Sequence, residues 1–445
     1  MQISKNKKYQ YIFFFVLSFF IIFNGGNSNL LIQLNFILLS LIFLICIKDK
    51  NYSLHLKNFY TKNKTSIFIY LTFLFFLVFQ ITPLPRTLLS LFSPEKYNLL
   101  GILEYKSYST ISLAPSNSFF QIMNFLSLLL IVFVCKMVFY TERHKYRFFL
   151  FLALMGFISS ITAVLFYLNG NPDLLIFKNS YYTKASSGFF INRTVLAVFL
   201  LFCLMSCFEL LRKFDLNYHN KKKDFFISKI YIRLFVIFIS IGIITSFSRI
   251  GNFLLLITVL FYLLDEIFFH KSNKNSFKII ILFIIAFDIV ILGIYFGSSE
   301  IIDRFYFLKE EFSNIPGEIS GISRFELIKF GFKEAKNYFF FGYGLGGFEN
   351  LFQIKYNNLS SLFANHAHSD IVEFFGELGL IGFILVNLSF IKFFFKKKNY
   401  NLITILVFTY AIIILLFDFS LHIPLIQILF VIFFILSKTN QSSLR

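Results

Sequence analysis

Twelve apolar runs, each close to the length that crosses a lipid bilayer, recur along this chain. They centre on about residues 11–23, 30–47, 66–83, 119–139, 148–168, 194–211, 230–246, 251–268, 278–297, 371–392, 401–417 and 420–437. Lipid cannot hydrogen-bond an exposed backbone, so such runs are expected as helices. The expected fold class is an all-α integral membrane protein of about twelve transmembrane helices. Residues 1–297 would carry the first nine with short loops. Residues 298–370 would form one large loop, and 371–445 the last three helices and a cytoplasmic tail. The composition agrees: 57% of residues are hydrophobic and the mean hydropathy is +0.73, against about 45–50% apolar in soluble domains.

The first run follows Lys5, Lys7 and Lys8 and has the length of a signal peptide. No small-residue cleavage site of A-x-A type follows, and a second run comes at once, so it reads as an uncleaved first helix. The net charge of +19 could suggest nucleic acid, but the distribution of charge speaks against it. With the N-terminus inside, the inner segments hold 27 of the 42 lysines and arginines, in short basic stretches such as Lys221–Lys223 and Lys396–Lys398. The positive-inside rule then sets both termini in the cytoplasm and the 298–370 segment outside. That segment's apolar patterning around Arg324–Phe340 argues for a folded cap rather than a linker. Cys46, Cys135, Cys203 and Cys207 all fall in apolar stretches and read as small hydrophobes.

Arginine is scarce, at ten of the 42 basic residues, yet Arg86, Arg193, Arg249, Arg304 and Arg324 all fall on the outer side. Its planar fork suits phosphate in a way lysine does not; ordinary loop charge is the plainer alternative for Arg86 and Arg304. Arg249 lies in a very short turn between two spans, Thr245–Gly251, where a cation is costly without a partner. Gly342-Tyr343-Gly344-Leu345-Gly346-Gly347 lacks the strand and helix of a dinucleotide site. It reads as a tight turn that brings backbone N–H groups, with Tyr343 and Gly344, toward a partner.

His366-Ala367-His368-Ser369-Asp370 opens the tenth run. His-x-His could bind a metal, but no third ligand stands at an obvious spacing, and none is expected. Asp370, Glu373 and Glu377 share one helical face near the outer interface. Carboxylates there face a cavity or pair with Arg or His rather than lipid, and a histidine beside them suits general-base work. Asp288, Asp418 and His422 stand in or beside other spans and are open to a functional or a structural reading.

The order of these features resembles the O-antigen ligase and polymerase superfamily of bacterial membrane glycosyltransferases, which also includes protein O-oligosaccharyltransferases. The order is Asn192-Arg193, Ser248-Arg249, Arg324, then Gly342–Gly346, then His368-Ser369-Asp370, Glu373, Glu377-Leu378-Gly379 and Gly382. The chain departs from the family where some members read Asn-Arg-Asn-His-Phe-Ala and it has Asn192–Ala197, and where Ser369 replaces a common Asn. The resemblance implies inverting transfer of a glycan from a polyprenyl-diphosphate donor in the bacterial inner membrane. The active site would be periplasmic, with neither cofactor nor metal. Arg249 and Arg324 would clamp the diphosphate and His368 would be the catalytic or acceptor-orienting histidine. Arg193, Arg304, His366, Asp370, Glu373, Glu377, Tyr343 and Gly344 would line the substrates. The acceptor would be lipid A-core in a ligase or a growing glycan in a polymerase. A transporter or flippase of lipid-linked sugars is the alternative from another class; such proteins often show repeats and interrupted spans, which are not evident here.

Overall fold

The computed structural model describes residues 2–102, 108–173, 185–216, 223–268, 323–356, 363–394 and 401–437. Fifteen α-helices occur among them, with no strand beyond one bridge between Leu84 and Ser109. They are α1 (Gln2–Ile22), α2 (Asn29–Ile47), α3 (Lys50–Ile81), α4 (Arg86–Phe92), α5 (Pro94–Ile102), α6 (Pro115–Val138), α7 (Glu142–Leu168), α8 (Arg193–Leu216), α9 (Lys223–Thr245) and α10 (Arg249–Phe268), followed by α11 (Arg324–Asn337), α12 (Phe348–Lys355), α13 (Asp370–Phe394), α14 (Leu402–Phe417) and α15 (Pro424–Ser437).

Eight of these are long and apolar enough to cross a membrane: α2, α3, α6, α7, α8, α9, α10 and α13. Shorter apolar helices within α1, and α14 and α15, add three. Together they account for eleven of the twelve expected runs. The ninth run, 278–297 with Asp288, and much of the 298–370 segment with Arg304, lie outside the described residues. The chain is a multi-pass helical membrane protein.

Burial separates a central helix from a lipid-facing ring. In α8, 89% of the span is buried, against 28% of α2. A helix that is apolar on every side belongs in the middle of a bundle, and α8 packs against α7, α9, α10 and α15. Around it, large apolar side chains point outward, among them Phe15, Phe68, Phe75 and Leu91, each about 70% exposed. Patches of this kind are rare on soluble monomers and are what lipid solvates. The four cysteines are buried and free.

Two details add to the sequence reading. The inner stretch between the second and third apolar runs, residues 48–65, is mostly helix: α3 starts at Lys50 and runs on through a bend at Asn63. Asn63 caps the break by donating its side-chain amide to the Phe59 carbonyl at 2.9 Å. The outer stretch 84–118 contains α4 and α5. These pack over the bundle with α11 and α12, tied by Lys355, whose ammonium sits 2.9 Å from both Glu95 and Glu334. Leu327, Tyr338, Tyr343, Phe348, Leu351 and Phe352 form a small apolar core beneath.

Candidate active site

The chain arranges its chemistry at one end of the bundle, where α8, α10, α11, α13 and α15 begin. Ser248 N-caps α10 by accepting the Gly251 N–H at 3.1 Å, which sets Arg249 in the first turn. Gly251 has no room for a side chain, since an added Cβ would lie 2.4 Å from Ala197 Cβ on α8. That close approach holds the start of α10 one turn from Arg193 at the start of α8. The residues before Arg193 are tied in turn by the Ile191 N–H, which donates to Asn24 at 2.8 Å. Arg324 opens α11 behind a capping box in which Ser323 and Glu326 satisfy each other's backbone N–H groups.

The glycine-rich turn after α11 meets the middle of α13. Tyr343 N–H donates to the Gly376 carbonyl and Gly344 N–H to the Glu377 carbonyl, both at 3.0 Å. Leu380 N–H answers with a bond to the Phe339 carbonyl at 2.7 Å. Gly379 breaks the helix there at φ +62°. The partner of these amides is therefore the α13 backbone, and Tyr343 is fully buried. Gly342 combines φ +71° with a site where a Cβ would lie 2.2 Å from the Glu377 carbonyl oxygen. Gly342→Ala is expected to cost more than the about 1–2 kcal/mol of a left-handed residue alone, because the clash is with backbone. Its thermal midpoint and abundance in detergent should fall well below wild type; unchanged values would show that this docking does not hold α13 in place.

The kinked α13 presents Asp370, Glu373 and Glu377 on one buried face, as the spacing predicted. Their partners are histidines. His366 Nδ1 lies 2.9 Å from Glu373 Oε1, and the Ala367 N–H donates to Glu373 Oε2 at 2.8 Å. His422, from the turn between α14 and α15, enters the centre of the stripe. Its Nδ1 bonds Asp370, and its Nε2 lies 3.5 Å from Glu373 Oε1 and 3.5 Å from Glu377 Oε2. Phe374 stacks on the His422 ring at 4.0 Å between centroids, and Phe419 stacks on His366 at 4.5 Å. The turn itself is locked by the Asp370 N–H donating to the Asp418 carbonyl and the Leu421 N–H donating to Asp370, each at 2.9 Å. Burial disfavours a charged His422, but Glu373 and Asp370 outweigh it and hold the ring well above its ordinary pKa.

His368 is differently placed. Its Nδ1 is buried and makes no hydrogen bond among the described residues. The residue sits at φ +57°, a conformation that costs a non-glycine residue about 1–3 kcal/mol. The edge of its ring meets Phe419, with centroids 5.1 Å apart. Burial first, then Arg324 and His366, push its pKa down to about 4, so it is a neutral imidazole near pH 7. Arg324 acts electrostatically on both His368 and Asp418.

The structure thus brings Arg324, His366, His368, Asp370, Glu373 and Glu377 together, and sets Arg193 and Arg249 at the same end of the bundle. It adds His422 and Asp418, which the sequence leaves open. Their signal is a short polar turn between two strongly apolar helices, and nothing in the local sequence says which face that turn meets.

A polytopic helical membrane protein with paired arginine-led helix starts over a buried histidine–carboxylate cluster is what these features define. Residues 234–387 match the family model described as O-antigen ligase. The matched family is one that the order of motifs in this chain resembles. The matched segment holds Arg249, Arg324, the glycine-rich turn, His368 and the carboxylate stripe; Arg193, Asp418 and His422 lie outside it. No curated protein matches the chain.

Proposed function

We propose that the protein is an O-antigen ligase-type glycosyltransferase that moves a glycan from a polyprenyl-diphosphate carrier to lipid A-core at the periplasmic face of the bacterial inner membrane. The observation that carries this reading is His368: a strained, neutral imidazole with a buried, unbonded nitrogen beside Arg324. Backbone strain of this kind persists where the surroundings impose it, commonly at sites of chemistry.

In the proposed step, the acceptor hydroxyl oxygen attacks the anomeric carbon and its proton passes to the His368 imidazole. The bond from that carbon to the diphosphate oxygen breaks, with inversion, and the electron pair leaves on the polyprenyl diphosphate. Arg249 and Arg324 take up the charge that develops there, with no metal in that step. Arg193 and Arg304 are assigned to substrate binding, and the donor's lipid tail lies against the apolar ring of helices. The cap of α4, α5, α11 and α12 limits water at the reacting carbon.

The glycan profile of a deletion strain tests the assignment. Loss of all long glycan from lipid A-core, with carrier-linked polymer accumulating, is expected of a ligase. One repeat unit retained on the core would instead assign the polymerase activity of the same superfamily. The orientation is tested by cysteine labelling. A cysteine at Tyr108, which is exposed, should label in whole cells, and one at Leu54, also exposed, only after lysis; the opposite pattern would invert the topology.

A further inference from the structure

We propose that His366, Glu373, Glu377 and His422 form a binding site for one divalent transition cation of the zinc class, which pins the start of α13 to the 418–422 turn. The site goes beyond the glycan-transfer reading and does not depend on it. The ligand atoms of His366, Glu373 and His422 lie within 4.8 Å of one another. The closest separations are 2.9 Å between His366 Nδ1 and Glu373 Oε1, and 3.5 Å from His422 Nε2 to both Glu373 Oε1 and Glu377 Oε2. Bonds of about 2.0–2.1 Å around a tetrahedral zinc put neighbouring ligand atoms about 3.3–3.4 Å apart. The three printed separations thus lie near the edge length of such a polyhedron, with His422 Nε2 facing both carboxylates.

Three further features point to a cation rather than to a plain ion pair. Glu377 is fully buried, and the contact between its Oε2 and His422 Nε2 is long, at 3.5 Å. A cation between the two would meet each at shorter range than they meet one another. His422 turns its other nitrogen, Nδ1, to Asp370, the carboxylate–histidine arrangement that fixes a metal-binding imidazole in its tautomer. The free oxygen of Glu373 is likewise held, by the Ala367 N–H. Two carboxylate ligands also balance the charge of a divalent ion, which matters in a buried setting. Imidazole and carboxylate together suit zinc better than magnesium or calcium, which take oxygen donors. His368 lies two residues from His366 but contributes no ligand, so the cation would shape the backbone that carries it.

The full-length protein, purified in detergent without chelator, should carry one zinc per chain by elemental analysis. After stripping with phenanthroline it should take up one Co2+ and develop the visible absorption of a low-coordinate N/O site, reversed by added Zn2+. Glu377→Gln and His422→Gln should abolish stoichiometric uptake, and Asp370→Asn should weaken it about 10–100-fold. His368→Ala should bind as wild type does. Stripped wild-type protein that takes up neither ion would overturn the site whatever the variants do, as would equal uptake by the two ligand variants. Because uptake is read without substrate, a failure here is distinguishable from a failure of the transferase assignment.

Discussion

His368→Ala should lose about 10²–10⁴-fold in the rate of glycan transfer, the contribution typical of a positioned acid or base, while the protein still inserts and purifies. The expectation rests on the differing fates of the two histidines in His366-Ala367-His368. His366 is engaged by Glu373 and stacked on Phe419. His368 is held neutral, with a buried nitrogen that makes no hydrogen bond among the described residues. His366→Ala should therefore be the milder change, acting through the position of Glu373. Initial rates with a lipid-diphosphate donor decide the matter. Wild-type rates in His368→Ala would remove the base role. A larger loss in His366→Ala would transfer the chemistry to the carboxylate cluster.

Arg249→Lys and Arg324→Lys should each reduce transfer by on the order of 10²-fold, the size of a lost preorganised donor to a developing charge. Lysine keeps the charge but not the planar, two-point fork that matches a phosphate. The folding consequences should be small, because both residues lie at helix starts whose caps come from Ser248 and Ser323. The losses should appear in the rate at saturating donor more than in donor binding, since the leaving charge is largest in the transition state. Two lysine variants with near-normal rates at normal abundance would refute the diphosphate clamp.

The membrane architecture was legible because lipid enforces a simple rule: every span must be helical and long enough. Eleven of the twelve runs reappear as apolar helices at the expected places. The extension of α3 back to Lys50 was not, because Lys50, Lys57, Lys62 and Lys64 signal an inner segment by charge and say nothing about backbone conformation. The carboxylate stripe was legible from spacing alone, since Asp370, Glu373 and Glu377 recur at the helical period. Its partner was half legible. His366 is local, but His422 lies 52 residues from Asp370 along the chain, and only packing of the α14–α15 turn brings it in. The glycine-rich turn shows the reverse limit. Its tightness was evident, yet whether its amides faced a ligand or another helix depended on the break at Gly379, whose position in the fold no local pattern reveals.

In the proposed function, this end of the bundle transfers a glycan rather than carrying one across the membrane. Purified protein reconstituted in vesicles, given a polyprenyl-diphosphate-linked glycan and lipid A-core on the same side, tests it most directly. The measurement is the initial rate at which glycan becomes covalently attached to lipid A-core. Attachment with release of polyprenyl diphosphate is expected, slowed by at least about 10²-fold in His368→Ala and in the double variant Arg249→Lys with Arg324→Lys. Movement of intact donor to the opposite leaflet, with no attachment and no diphosphate released, would contradict it.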